Sequence, residues 1–150
     1  YFGRGNCCIS TLLGSCVAVT VWHPQRHVGG MCHFLLPSRS GREKAAKLDG
    51  HYGEEAVELF MQELRSTKTQ SHEYCVRVFG GGDMFPRQTR NAMNDIGSRN
   101  IEAVRQLLAR HGFAIMAEDL GGPIYRSIVL ELESGDIWIR QSRVESPASS

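Results

Sequence analysis

The sequence predicts an α+β fold, a single-domain layered sandwich of mostly antiparallel β-sheet with two main helices. Three observations carry this. Strand-like runs rich in β-branched residues outnumber helical ones, several are separated by turns short enough for hairpins, and only two segments repeat their apolar residues at helical spacing. At 150 residues, 41% hydrophobic and 22% charged, the chain is long enough to bury one core without metal or disulfide staples.

In chain order, "CISTLLGSCVAVTVW" (8–22) reads as strand interrupted around Gly14. "HPQRH" (23–27) is a turn and "VGGMCHFLL" (28–36) a second strand, so the first forty residues predict a hairpin. "PSRSGREKAAKLDGHYG" (37–53) is polar and glycine-containing, a long loop. In "EEAVELFMQELRS" the apolar residues Val57, Phe60, Met61 and Leu64 fall at i, i+3, i+4 and i+7, an amphipathic helix with one face on the sheet. "EYCVRVF" (73–79) is a strand running into "GGGDMFP". "GSRNIEAVRQLLARHG" predicts the second helix, with Ile101, Val104 and Leu108 on one face, Ser98 or Asn100 as N-cap and Gly112 as its stop. "FAIMAED" is a strand, "LGGP" a turn, and "SIVLELESGDIWIR" a hairpin with Ile128, Leu130 and Leu132 on one side and a Ser-Gly turn. The domain is expected over 1–142, with 143–150 a disordered tail.

Composition excludes several classes of function. A net charge of +1, with no Lys/Arg run longer than a dipeptide, argues against a nucleic-acid partner. The longest apolar runs, such as "FLL" and "VAV", are too short to insert in a membrane. No signal peptide is visible, although the chain opens on Tyr1, which leaves room for an upstream segment. Five cysteines make an odd number with no Cys-x-x-Cys, which argues for a reducing, cytoplasmic setting and against a disulfide framework. His23 and His27 are four apart, but Pro24 denies them a shared helical face, so no metal site is expected.

Two stretches stand out chemically. Cys16 follows Gly14-Ser15 where a polar, glycine-bearing stretch turns apolar, a setting that presents a thiol at a strand end. Cys7, Cys8, Cys32 and Cys75 lie in apolar or strand-like stretches, where a cysteine is ordinarily a small core residue. A reactive thiol needs a base, and His33 meets that need if the two strands pair, with Gly29 and Gly30 leaving room for a substrate beside the imidazole. The bland alternative for His33 is a satisfied core histidine. "GGGD" matches neither phosphate-loop pattern and no lysine follows it, so Gly81 and Gly82 either let a peptide substrate approach or turn the chain.

With these residues assembled, the chain resembles the CheD family of chemoreceptor glutamine deamidases. The resemblance rests on "TLLGSCVAV", on "GGMCHFLLP" with its histidine seventeen residues after the cysteine, on "FGGGDMF", and on "IGSRNIEAVRQLLARHGFAIMAEDLGG" followed by "SGDIWIR". It implies a cysteine-histidine deamidase fold, with the nucleophile on Cys16 and the base on His33. The family's third catalytic residue is a threonine shortly before the cysteine. A spacing of six lands on Ser10, whereas the spelling "TLLGSC" gives Thr11; in a regular strand Ser10 shares a face with Cys16, and a bulge near Gly14 reverses that. Both hydroxyls remain candidates to orient the imidazole. "GGPIYR" departs from the family pattern at Pro123 and Tyr125.

The implied chemistry is attack of the Cys16 thiolate on a glutamine carboxamide, with backbone N–H groups around Gly14, Ser15 and Cys16 as oxyanion donors. A thioester follows and is hydrolysed to glutamate. No cofactor is required. The expected substrate is a chemoreceptor cytoplasmic helix. A rival reading is a regulatory module that stimulates a CheC-type phosphatase acting on phospho-CheY, and a third is a cysteine hydrolase for esters or peptides.

Overall fold

The computed structural model describes residues 1–39, 47–84 and 96–145. The strands are β1 (Phe2–Arg4), β2 (Cys8–Leu13), β3 (Val17–His23), β4 (Val28–Phe34), β5 (Cys75–Gly80), β6 (Ile115–Leu120), β7 (Ile124–Glu131) and β8 (Ile137–Arg143). Helix α1 covers Gly53–Thr67 and α2 covers Ile96–Arg110. The strands form a five-stranded sheet in the order β1-β4-β3-β5-β6 and a three-stranded sheet in the order β2-β7-β8. Among the described residues the ladders between these strands are antiparallel except β5 with β6, the pair that α2 separates in the chain.

Two apolar layers hold this sandwich together, and β3 belongs to both. Val17, Val19 and Val21 pack with Val57, Phe60 and Leu64 of α1 and with Val104, Leu107 and Leu108 of α2. On the other face, Ala18 packs with Met31, Phe79, and Leu13, Ile128 and Leu130 of the smaller sheet. A strand buried on both faces reads as a continuous apolar run, which is why "VAVTV" lacks polar alternation. The smaller sheet has one wet face, so β2 alternates: Ile9, Thr11 and Leu13 point inward while Cys8, Ser10 and Leu12 are exposed.

Several sequence expectations need correction. Residues 8–22 do not run as one strand: β2 and β3 lie in different sheets, and Gly14–Cys16 carries the chain between them. The hairpin is therefore β3–β4 alone, turning through residues 24–27. Before β5, residues Ser71–Glu73 form a 3-10 turn, closed by a capping box between Gln70 and Glu73. Ser98 and Asn100 sit inside α2, which already includes Ile96, so neither is its N-cap. Strand β1 was not expected at all. Gly112 does end α2: its N–H reaches the Ala109 carbonyl, the Phe113 N–H reaches that of Leu108, and Gly112 has φ +81°, the pattern of a Schellman motif. The tail expected over 143–150 overlaps β8 at Arg143, and from residue 146 it lies outside the described residues.

Candidate active site

The chain crosses between the sheets at Gly14–Cys16, and its backbone there is anchored from behind. The Gly14 carbonyl accepts from the Gly82 N–H at 2.9 Å, the Cys16 carbonyl from the Gly81 N–H at 2.8 Å, and the Ser15 carbonyl from Asn100 Nδ2 at 3.3 Å. In a trans peptide the N–H points opposite to the carbonyl it shares a plane with. Anchoring the carbonyls of Gly14 and Ser15 therefore aims the N–H groups of Ser15 and Cys16 away from the groups that hold those carbonyls, and the Cys16 N–H interacts with its own thiol.

The glycines behind this segment are supports. Gly80 and Gly81 have φ of +109° and +62°, conformations that favour glycine, and a Cβ on Gly80 would run into the Cys16 carbonyl oxygen. Gly81 and Gly82 are buried, and a Cβ on Gly82 would stand 2.6 Å from the Ile124 carbonyl oxygen. Arg126, itself buried, spans the back of the platform, donating to the carbonyls of Gly80 at 3.3 Å and Gly121 at 2.7 Å and to Asp119 Oδ1 at 3.2 Å. These two glycines thus turn and pack the chain; they do not open a path for substrate. Gly30 is corrected in the same way: it pairs with Phe2 of β1, whose backbone fills the space that the missing side chain leaves.

His33 lies opposite Ala18 in the β3–β4 ladder, so its side chain leaves the face that carries Ala18 and, one step before the strand, Cys16. Diagonal neighbours of this kind are within reach of a ring-bearing side chain. From the facing sheet, Thr11 Oγ1 meets His33 Nδ1 at 2.7 Å. Ser10 is one residue off in a strand of period two, so it is exposed and paired with Val129 on the outer face. The structure brings Thr11 to the imidazole and leaves Ser10 away from it. Same-face counting from Ser10 to Cys16 fails because the sheets face each other: inward residues are odd-numbered in β2 and even-numbered in β3.

A cavity of about 470 Å³ opens beside His33, lined among others by Met31, Asp49, His51, Tyr1 and Phe60. The loop residue His51 is fixed there because its carbonyl accepts from the Leu35 N–H at 2.8 Å, tying residues 49–52 to the end of β4. Its Nδ1 lies 2.6 Å from Asp49 Oδ1. A second cavity, of about 560 Å³, lies on the far side of Gly14 between exposed Leu12, exposed Tyr125 and Arg140.

Burial pushes the Cys16 thiol above its ordinary range, against a smaller opposite pull from its own backbone N–H. Burial also pulls the His33 imidazole below its ordinary range, with repulsion from His51 adding to the effect. Both shifts favour neutral forms, so the resting pair is thiol and imidazole. Cys32, next to the histidine, is partly buried, and burial pushes its thiol up to about 12. Its side chain leaves the opposite face of β4, toward the helices. Asp49, His51 and Asn100 carried no sequence signal for this site: two sit in a stretch that reads as a polar loop, and the third resembles a helix cap.

The family model for CheD chemotactic sensory transduction matches residues 35–141. The chain belongs to the CheD family. That span begins beyond Cys16 and His33, but whole-chain relatives reach further. A protein of Pseudomonas syringae pv. tomato named "Probable chemoreceptor glutamine deamidase CheD" is 41% identical over 91% of this chain and 81% of its own length. A CheD of Dechloromonas aromatica with the same printed function is 46% identical over 93% of this chain and 81% of its own. One from Leptospira interrogans is 38% identical over 94% and 87%. Matches of that extent include both the Cys16 and the His33 segments. Among the described residues no helix is long and apolar enough to cross a membrane.

Proposed function

We infer that this CheD-family chain is a protein-glutamine deamidase acting on chemoreceptors through Cys16 and His33. The observation that carries the reading is the His33 ring: it leaves the sheet face that carries Ala18, on the side where Cys16 packs, and is held at Nδ1 by Thr11 at 2.7 Å. With Nδ1–H donating to Thr11 Oγ1, the lone pair of Nε2 is free to take the thiol proton. A neutral resting pair suits this role, because the thiolate is made only as the substrate is attacked.

The Cys16 thiolate then adds to the carboxamide carbon of a receptor glutamine, and the carbonyl electrons move to oxygen. The Ser15 and Cys16 N–H groups face that oxygen and stabilise it. The imidazolium returns its proton to the amide nitrogen, the C–N bond breaks and ammonia leaves, which gives a thioester. Water deprotonated by His33 adds to the thioester carbonyl, and collapse expels the Cys16 sulfur, which recovers its proton. Glutamate is the product. Thr11 fixes the ring through both half-reactions.

The test is to incubate the protein with a chemoreceptor cytoplasmic fragment and map glutamine-to-glutamate conversion by peptide mass spectrometry. Conversion at discrete glutamines is expected. Full stimulation of a CheC-type phosphatase with no conversion would favour the regulatory reading instead.

A further inference from the structure

Asn100 is fully buried in α2, yet the core around it is apolar. Its Nδ2 donates to two carbonyls just outside the β3–β4 ladder, Leu35 after β4 at 3.0 Å and Ser15 before β3 at 3.3 Å. The pairing explains why it is there. The β3–β4 ladder has its last pair at Val17 and Phe34, so the residues that follow on each side, Cys16 and Leu35, are no longer joined by backbone. Asn100 takes over at that point and bridges the residue before Cys16 to the residue two after His33. A reversed amide would set Oδ1 against two carbonyl oxygens, so those carbonyls fix its orientation. The opposite atom, Oδ1, is buried and meets no donor among the described residues, which makes the residue a poor choice for stability alone. The helix can come this close because Gly97, one turn earlier, packs on the glycine platform, where a Cβ would stand 2.5 Å from the Gly81 carbonyl oxygen.

We propose that Asn100 is a positioning residue, which sets the spacing between the Cys16 thiol and the His33 imidazole by clamping the two strand ends beyond their ladder. This rests on the deamidase reading above. Asn100 touches neither substrate nor reacting atoms, so its effect belongs to kcat and to thiol activation.

The test compares Asn100→Ala with Val104→Ala, a cavity of similar kind one turn further along the same helix in the same core. Two readouts are taken: kcat and KM for deamidation of a chemoreceptor fragment, and the pH dependence of Cys16 alkylation by iodoacetamide. Because misplacement by about 1 Å can cost on the order of 100-fold, Asn100→Ala should lower kcat at least about tenfold with KM within about twofold. Cys16 alkylation at neutral pH should fall in step. Val104→Ala should keep kcat and alkylation despite a lower Tm. If Asn100→Ala fails to fold, Asn100→Ser, with one donor for two carbonyls, carries the same expectation. Asn100→Ala with wild-type kcat, or Val104→Ala with an equal loss, overturns the proposal. If the wild type itself does not deamidate, the deamidase reading falls and alkylation decides alone. Loss of neutral-pH Cys16 reactivity in Asn100→Ala but not in Val104→Ala upholds the clamp, and equal reactivity overturns it.

Discussion

Replacing Thr11 by Ala removes the hydroxyl that meets His33 Nδ1, at 2.7 Å, and leaves the strand otherwise unchanged. The ring is half-buried in the cleft between the sheets, so its Nδ1–H loses a partner without free access to water. Leaving such a donor unsatisfied costs about 1–3 kcal/mol. If that cost falls on the transition state, the rate drops by about 5- to 150-fold. The loss also frees the ring to take the wrong tautomer, which pushes the effect toward the upper end. Thr11→Ser keeps the hydroxyl and should stay within a few-fold of wild type. Ser10→Ala touches an exposed side chain on the outer face and should be neutral within about 0.5 kcal/mol. The assay is single-turnover deamidation of a receptor fragment at saturating enzyme, with the fold checked by circular dichroism. Thr11→Ala at wild-type rate, or Ser10→Ala as slow as Thr11→Ala, would show that Thr11 does not orient His33.

His33 is neutral at pH 7 because its pKa lies below the ordinary value of 6.5, so activity should be lost as pH falls through that lowered value. His51→Gln removes the repulsion, which should raise the His33 pKa and move the acid limb of kcat/KM to higher pH; an NMR titration of the ring checks this directly. Gly80→Ala forces a side chain into φ +109° and against the Cys16 carbonyl, and should cost at least about 2 kcal/mol, seen as a Tm lower by about 4–8 °C. Under iodoacetamide at neutral pH, exposed Cys8 should label and Cys32 should not; His33→Ala should slow Cys16 labelling at least about tenfold while leaving Cys8 unchanged, and equal Cys16 labelling would remove His33 as its base.

The layered α+β architecture was legible because the two helices carry clean apolar stripes and the β3–β4 hairpin is closed by a short turn. The position of His33 opposite Ala18, near the end of β3 that Cys16 precedes, was legible for a related reason: a hairpin fixes which residues lie side by side. What escaped was parity across a sheet boundary. Ser10 and Thr11 cannot be told apart by counting, because Gly14–Cys16 changes sheets and with it the sense of inward and outward. At Gly30 a missing side chain signals space, and at Gly81 and Gly82 it signals either space or a turn. Which group takes that space is a tertiary fact, and here it is β1 and the carbonyls of the chain itself. Asn100 resembled a cap because asparagine at a helix start ordinarily is one. Its inward orientation depends on two strand ends more than sixty residues away in the chain. β1 was missed because three residues, "FGR", carry no period.

In the proposed mechanism the Cys16 sulfur forms the bond to substrate. Cys16→Ala deletes that atom and little volume, leaving the Gly81–Cys16 backbone hydrogen bond in place. The measurement is glutamine-to-glutamate conversion in a chemoreceptor fragment by mass spectrometry, run with enzyme in excess and against a wild-type control. The wild type should convert glutamine to glutamate and Cys16→Ala should show none above background, with an unchanged far-ultraviolet spectrum. Deamidation that persists in Cys16→Ala would contradict that mechanism.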